Sequence, residues 1–482
     1  MTGWRRLDRR TLGVTAVLLA GVAVSAGTPI AIGTGSLWLV PAALLLVGGG
    51  VLADYVRWRH TRFRCTADRL EIEFAFVTHT RKSLARDRIR TVDLTANPVH
   101  RAFGVAVLTI GTGERDRITL APLARAEAEA LRAELLHRIP ESAAEDGPLA
   151  TLDPRWIRYA PVSFVAPVLG LSAFGGLFKV ADWFGAGGGL LKWLLNLFGE
   201  LPLAASILLL VVLAVAVGVV GAVGLFVEMW WHHRLDREPG GTLRVRRGLL
   251  TTRSITIEER RLRGVELVEP LGARLAGAAR VDAIATGMKR DDDKTESKTL
   301  LPVAPRAVAA RVAAQVAGEP VADVPLVPHP PAARGRRLRW ALAAALAPVA
   351  VLLILGALLT DVLLVVAAAV AVVAVPVAVL LARDAYRGLG HGARGRYLVT
   401  RAGSVRRSTA VLARDGVIGW TVKQSVFQRR RGLATFTATT AAGSGAYSIR
   451  DADAAEGLVF AASAVPGVLA PFASVPAEAS RA

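Results

Sequence analysis

Cysteine is the scarcest residue of this chain. Cys65 stands alone among 482 residues, so no disulfide can form within the chain and a small secreted disulfide scaffold is excluded. Lysine is nearly as sparse, with 7 against 52 arginines, and the 39 acidic residues are outnumbered by 59 basic ones. Recognisable catalytic and metal-binding spacings are missing too. There is no Gly-rich phosphate loop, no HExxH, no GxSxG and no cysteine pair, so no enzyme chemistry, cofactor or metal is expected. Asp291 to Asp293 resemble a calcium loop only superficially, because the Gly at position six and the Glu at position twelve are absent. His232 and His233 stand beside Trp230 and Trp231, where anchoring at a membrane surface is expected before ligation.

What the chain has in abundance is apolar sequence, 53% of all residues, together with a formal net charge of +20. Average soluble domains are roughly 45 to 50% apolar, so this composition is too apolar for an ordinary basic nucleic-acid binder. It also has ample apolar content for burial, which excludes disorder. A membrane protein with basic aqueous parts remains.

The apolar residues form three blocks, each long enough for two helices of about 20 residues, the length that crosses a bilayer. The expected spans are Leu12 to Ile32 and Gly35 to Ala53, Trp156 to Ala181 and Leu203 to Trp231, and Leu338 to Thr360 and Val362 to Ala382. Six crossings as three hairpins follow. Arg5, Arg6, Arg9 and Arg10 precede the first hairpin and Arg57, Arg59, Arg62 and Arg64 follow it; Arg334, Arg336, Arg337 and Arg339 precede the third, and Arg383 and Arg387 follow. Positive flanks face the cytoplasm, so both termini and the three polar segments are expected there. A cleaved secretory signal over the same N-terminal stretch, ending at Val24, Ser25 and Ala26, is the competing reading; the immediate partner span favours an uncleaved helix. Within the middle block, residues 185–202 read either as an interfacial helix anchored by Trp183 and Trp193 or as an extension of the preceding span.

The polar segments repeat one another. Aligning Gly104, Gly277 and Gly432 superposes GVAVLTIGTG (104–113), GAARVDAIATG (277–287) and GLATFTATTA (432–441), each alternating in the manner of a half-buried strand. Fifteen residues upstream stand Ile89, Leu262 and Val417, and three upstream stand Arg101, Arg274 and Arg429. Further upstream are hairpin-like runs, RLEIEFAFVTHTRKSLA (69–85), LRVRRGLLTTRSITI (243–257) with Gly248 at its turn, and YLVTRAGSVRRSTAVLA (397–413). Each segment closes in a helix, opened by Pro122, by Pro305, or by Asp451 or Asp453 as cap.

With its apolar hairpins, this order resembles the bacterial pleckstrin-homology (PH) domain membrane proteins of the YdbS/YdbT type, in a long form with three PH-like domains. The residues that carry the likeness are Tyr397 to Gly403, Arg246 to Leu250, Arg86 to Val92 and the three Gly-led strands. The resemblance implies three α+β PH-like domains, each a curved antiparallel sheet plus a C-terminal helix, alternating with six transmembrane helices, and no catalytic residues. The segments are 1–53 (basic N-terminus and hairpin), 54–153 (first PH-like domain), 154–231 (hairpin with outer segment), 232–333 (second), 334–382 (hairpin) and 383–482 (third). A shortened hairpin in the third domain and the insertion MKRDDDKTESK (288–298) in the second depart from the pattern.

Charge concentrates late in the chain: +8 over 232–339 and +8 over 383–482, against +1 over 54–153. The nearest anionic surface for such domains is the inner leaflet, so membrane lipids, a protein partner or self-association are expected, and nucleic acid is not. Lys423, Arg429, Arg430 and Arg431 form the densest cluster, with Arg246, Arg247, Arg406 and Arg407 as further candidates for lipid phosphate or an acidic partner. The bland alternative is a solvated basic face in an Arg-rich sequence. Glu71 and Glu73 stand where the second domain has Arg244 and Arg246, which suggests an inter-domain contact of opposite charges. The expected function is a membrane scaffold in envelope homeostasis, whose cytoplasmic domains bind partner proteins or anionic headgroups. A transporter or channel component is the alternative, for which buried polar groups within spans would be needed.

Overall fold

The computed structural model describes residues 3–27, 38–66, 68–76, 79–86, 89, 91–111, 117–135, 147–162, 165–183, 188–189, 192, 196, 199, 202–238, 241–287, 298–321 and 324–466. Asp291 to Asp293 and most of residues 185–202 lie outside them. The chain divides into two compact units, Met1–Glu259 and Arg260–Ala482.

The first unit opens with β1 (Arg5–Arg6), then two apolar helices, α1 (Thr11–Val22) and α2 (Leu39–His60). Strands β2 (Thr61–Cys65), β3 (Arg69–Ala75) and β4 (His79–Ala85) complete a four-stranded antiparallel sheet in the order β1-β2-β3-β4. A second meander follows, with β5 (Thr91–Ala96), the short helix α3 (Pro98–Ala102), β6 (Val105–Gly111), β7 (Arg117–Ala124) and helix α4 (Arg125–Leu135). Alternation puts Leu108 and Ile110 inside beside Leu94, and these pack with Phe63, Leu70 and Leu84 of the first sheet and Leu131 and Leu135 of α4 in one core. That is the sheet-plus-helix arrangement expected of a PH-like fold.

After β8 (Ala150–Thr151) come the apolar helices α5 (Val165–Trp183) and α6 (Leu203–Trp230), then β9 (Arg234–Glu238), β10 (Thr242–Arg247) and β11 (Thr252–Glu258). These strands do not form a sheet of their own. They extend the second meander into one seven-stranded sheet, β7-β6-β5-β11-β10-β9-β8.

The second unit repeats the device. β12 (Leu262–Pro270), the short helix α7 (Leu271–Leu275), β13 (Ala278–Ala285), β14 (Thr299–Pro305) and helix α8 (Arg306–Ala317) precede the apolar hairpin α9 (Pro331–Leu358) and α10 (Asp361–Arg387). Strands β15 (Gly390–Arg394), β16 (Tyr397–Ala402) and β17 (Arg406–Ala413) then join β12 in a six-stranded sheet, β14-β13-β12-β17-β16-β15. β18 (Val417–Lys423), the short helix α11 (Val426–Arg429), β19 (Leu433–Thr440), β20 (Ala446–Asp453) and α12 (Ala454–Ala464) end the described chain, with β18-β19-β20 a separate three-stranded sheet.

The three aligned glycines occupy one local geometry. Gly104, Gly277 and Gly432 have φ of +67°, +69° and +64°, a left-handed turn that glycine adopts without steric cost. Each amide donates to the carbonyl of the arginine three residues before, and each carbonyl accepts from the first residue of the closing helix, Arg125, Arg306 or Ala454. The repeat in sequence is therefore a repeat in backbone.

By length and composition, four helical stretches among the described residues can cross a membrane: Val40–His60, Leu208–Trp230, Pro331–Leu358 and Asp361–Arg387. Six were expected. The first and third expected spans run into residues outside those described, and Thr11–Ser25 and Val168–Ala181 are shorter apolar helices. The expected start at Trp156 is corrected: Pro154–Tyr159 is a 3-10 turn that buries Trp156 and Tyr159, and the helix begins at Val165.

Candidate functional site

The two shared sheets are joined by the same contact. In the first unit Thr252, Arg253 and Ser254 pair with Ala96, Thr95 and Leu94; in the second, Arg407, Ser408 and Thr409 pair with Glu269, Val268 and Leu267. The residue four past the hairpin glycine, Gly248 or Gly403, thus faces the residue eight before the strand glycine, Gly104 or Gly277. The arginines read from the repeat cap both junctions. Arg101 Nη1 donates to the Leu249 carbonyl (2.6 Å) and Arg274 Nη1 to the Ser404 carbonyl (3.1 Å), each the residue after the hairpin glycine.

The same hairpin turns are tied to membrane helices. At the end of α6, the Glu228 carboxylate accepts the backbone N–H groups of Leu250 and Thr251, both at 2.9 Å, and the Trp231 carbonyl accepts from Gly248. At the end of α10, Asp384 receives Arg274 (2.6 Å), the Ser404 hydroxyl (2.7 Å) and Arg407 (2.8 Å). An acidic residue twenty or nineteen positions before the hairpin glycine was the signal for this role in the sequence. Asp384 was missed because an acid near a span end reads as ordinary headgroup contact.

The candidate residues separate into two groups. Arg247 is buried with its guanidinium 4.3 Å from the Trp230 ring centroid, and Arg407 is committed to Asp384, so both hold the fold. Arg406 reaches Glu266 at 3.8 Å, and Arg246 is exposed. Lys423, Arg429, Arg430 and Arg431 are all exposed, grouped at the end of β18 and on α11 beside the exposed apolar side chains Val422, Val426 and Phe427. The turn is held rigid from below by a capping box between Ser425 and Gln428, and Gln428 also donates to buried Asp451 at 2.8 Å.

The expected pairing of Glu71 and Glu73 with Arg244 and Arg246 meets other partners in the structure. Glu71 accepts from Arg64 and from Arg81 (3.0 Å), and these hydrogen bonds hold its carboxyl below the usual range. Glu73 lies 2.6 Å from His79. Arg244 pairs with Glu238 (3.0 Å) and donates to Ser254 (3.0 Å); burial brings its guanidinium down to about 10. These charges stabilise their own sheets. His233 does not serve as a surface anchor either: it is buried edge-on to Trp230, and burial, with Arg247 adding repulsion, lowers it to about 3. Among the described residues no cluster of His, Cys, Asp or Glu could hold a metal.

What the arrangement leaves open is an edge. β18 is the counterpart of β5 and β12, yet among the described residues no strand pairs with its outer side. Arg429, the counterpart of Arg101 and Arg274, projects beside that edge with no described hairpin turn to cap. Backbone N–H and C=O groups on such an edge are a template for strand addition.

A search of the curated proteins found no match, and neither did a search of the solved structures. The family model described as Bacterial PH domain matches residues 12–139 and 343–462, just over half of the chain and the parts that hold the first and last strand sets. With the sheet-and-helix core of the first unit on the page, the conclusion is that the chain belongs to the bacterial PH domain family.

Proposed function

We propose that this chain is a non-enzymatic integral membrane scaffold of the YdbS/YdbT type in its long form, with three PH-like domains on six spans. Both termini and all three domains face the cytoplasm, as the arginines flanking the apolar blocks support. The domains bind a partner protein, and the observation that carries this reading is the open edge of β18, flanked by exposed Lys423, Arg429, Arg430 and Arg431. A scaffold needs a rigid link from anchor to binding surface. The carboxylate clamps of Glu228 and Asp384 on the hairpin turns support such a link.

The same basic cluster with apolar Val426 and Phe427 has the chemistry to meet an anionic leaflet, where each cation is worth about 1 kcal/mol. Affinity purification from detergent-solubilised membranes, followed by native mass spectrometry, separates the two. The expected result is a reproducible protein partner that is lost when Lys423, Arg429, Arg430 and Arg431 are reversed to Glu. Co-purification of anionic lipid alone would replace protein binding with lipid binding. Ion flux in reconstituted vesicles, with neither ligand retained, would overturn the scaffold in favour of a transporter component.

A further inference from the structure

The chain joins its repeats by one rule, applied twice. A strand that ends seven to nine residues before a left-handed glycine takes on its outer edge the last strand of the next repeat's first hairpin. The rule needs an acceptor strand and a donor strand, and among the described residues the series has one of each left over. The unused acceptor is β18. The unused donor is β4, the outermost strand of the first sheet and the counterpart of β11 and β17; the pairing of β3 with β4 places Ala75 where Gly248 and Gly403 stand in the later hairpins.

We propose that β18 of one copy pairs antiparallel with β4 of a second copy, so that chains assemble head to tail through the junction already used twice within each chain. This rests on the scaffold reading and names its partner. The shared register puts His79 opposite Gln424, Thr80 opposite Lys423 and Arg81 opposite Val422, and brings Arg429 to the backbone carbonyl of Phe76. Most of β4 is exposed, as are Thr421, Val422 and Lys423 of β18. Within its own sheet Arg81 is matched by Glu71 and His79 lies 2.6 Å from Glu73; exposed Lys82 stands opposite Thr421 in this register. Phe76, exposed at 57%, and Phe427, at 63%, lie at the two ends that meet and supply apolar area to cover. Because donor and acceptor are different surfaces, the contact is heterologous and propagates into a ring or an open row in the membrane plane.

The lone Cys65 is buried, so introduced thiols report cleanly. Two chains with different tags are co-expressed, one carrying Thr80→Cys and the other Lys423→Cys, and membranes are oxidised before solubilisation. The expected product is a cross-linked dimer carrying both tags. As a control for folding and oxidation, Thr95→Cys with Arg253→Cys in one chain occupies the equivalent position of the existing junction and must form an intrachain bond. Adding Arg429→Ala to the Lys423→Cys chain should lower the mixed product by about tenfold through loss of the carbonyl contact. Absence of mixed product while the control cross-links overturns the proposal, as does a product made only between two Lys423→Cys chains. If Lys423→Cys instead cross-links to a different membrane protein, the second copy is wrong as partner while the scaffold reading stands.

Discussion

Arg274 and Asp384 meet at 2.6 Å, and the same guanidinium donates to the Ser404 carbonyl. One arginine from the end of one repeat therefore holds both the hairpin turn of the next repeat and the C-terminal end of the apolar helix α10. Replacing Asp384 by Asn keeps the shape and removes the charge that gathers Arg274, Arg407 and Ser404. We expect a loss of about 1 to 2 kcal/mol, read as a lower denaturation midpoint in detergent with faster proteolysis at the 403–407 turn.

The three aligned arginines give a contrast. Arg101→Ala and Arg274→Ala each remove a charge-assisted bond to a turn carbonyl and should cost about 1 kcal/mol or more of folding stability. Arg429→Ala removes no described intrachain bond of that kind and should stay within about 0.5 kcal/mol of the parent. Equal losses for all three would show that β18 is not open in the folded chain.

Gly248 and Gly403 turn the two later hairpins at φ of +110° and +103°. A Cβ there would sit 1.9 Å from the Thr251 carbonyl oxygen and 2.0 Å from that of Arg406. Gly→Ala at either site should cost more than about 2 kcal/mol, and at Gly403 should also weaken the clamp on Asp384. Thermal unfolding of the purified variants checks both.

Asp451 is fully buried at a φ of +59° and is held by Arg336, by Arg337 at 2.7 Å and by Gln428. Asn tolerates that backbone, so Asp451→Asn isolates the charge. It leaves two mostly buried guanidinium groups without their carboxylate and should cost about 3 kcal/mol, measurable as a drop in denaturation midpoint.

A pH dependence follows from His329 and His391, whose rings meet through Nε2 and Nδ1 at 3.1 Å in a buried site. Burial lowers both, His391 to about 4, where His329 adds repulsion. The unfolded imidazole titrates at about 6.5. Between these values the unfolded chain binds more protons, so this contribution is complete above about pH 6.5 and is lost as pH falls towards 4. Denaturation midpoints at pH 7 and pH 5 should differ, and His391→Gln should reduce the difference; a variant that keeps the full difference would place its origin elsewhere.

Much of this was legible in the linear sequence. Gly104, Gly277 and Gly432, found by alignment, share a backbone conformation because a left-handed position selects glycine wherever it occurs. Arg101, Arg274 and Arg429 were found at the same offset, but their task was not, since a hydrogen bond to Leu249 or Ser404 reaches across well over a hundred residues. Glu71 and Arg244 show the converse error. Opposite charges at equivalent positions suggested a mutual contact, whereas cross-strand neighbours at closer range, Arg64 and Arg81 for one and Glu238 for the other, satisfied them first.

The sequence by itself determined the apolar blocks, the strand alternation and the period of the repeat, because these depend on local pattern and on the fixed geometry of helix and strand. Only the tertiary structure decided that the aqueous segments are not separate sheets. Strand pairing is chosen by backbone edges that carry no residue code, so β5 with β11 and β12 with β17 could not be read from side chains. For the same reason the edge of β18, unpaired among the described residues at the end of a series whose other acceptor strands are filled, became visible only in three dimensions.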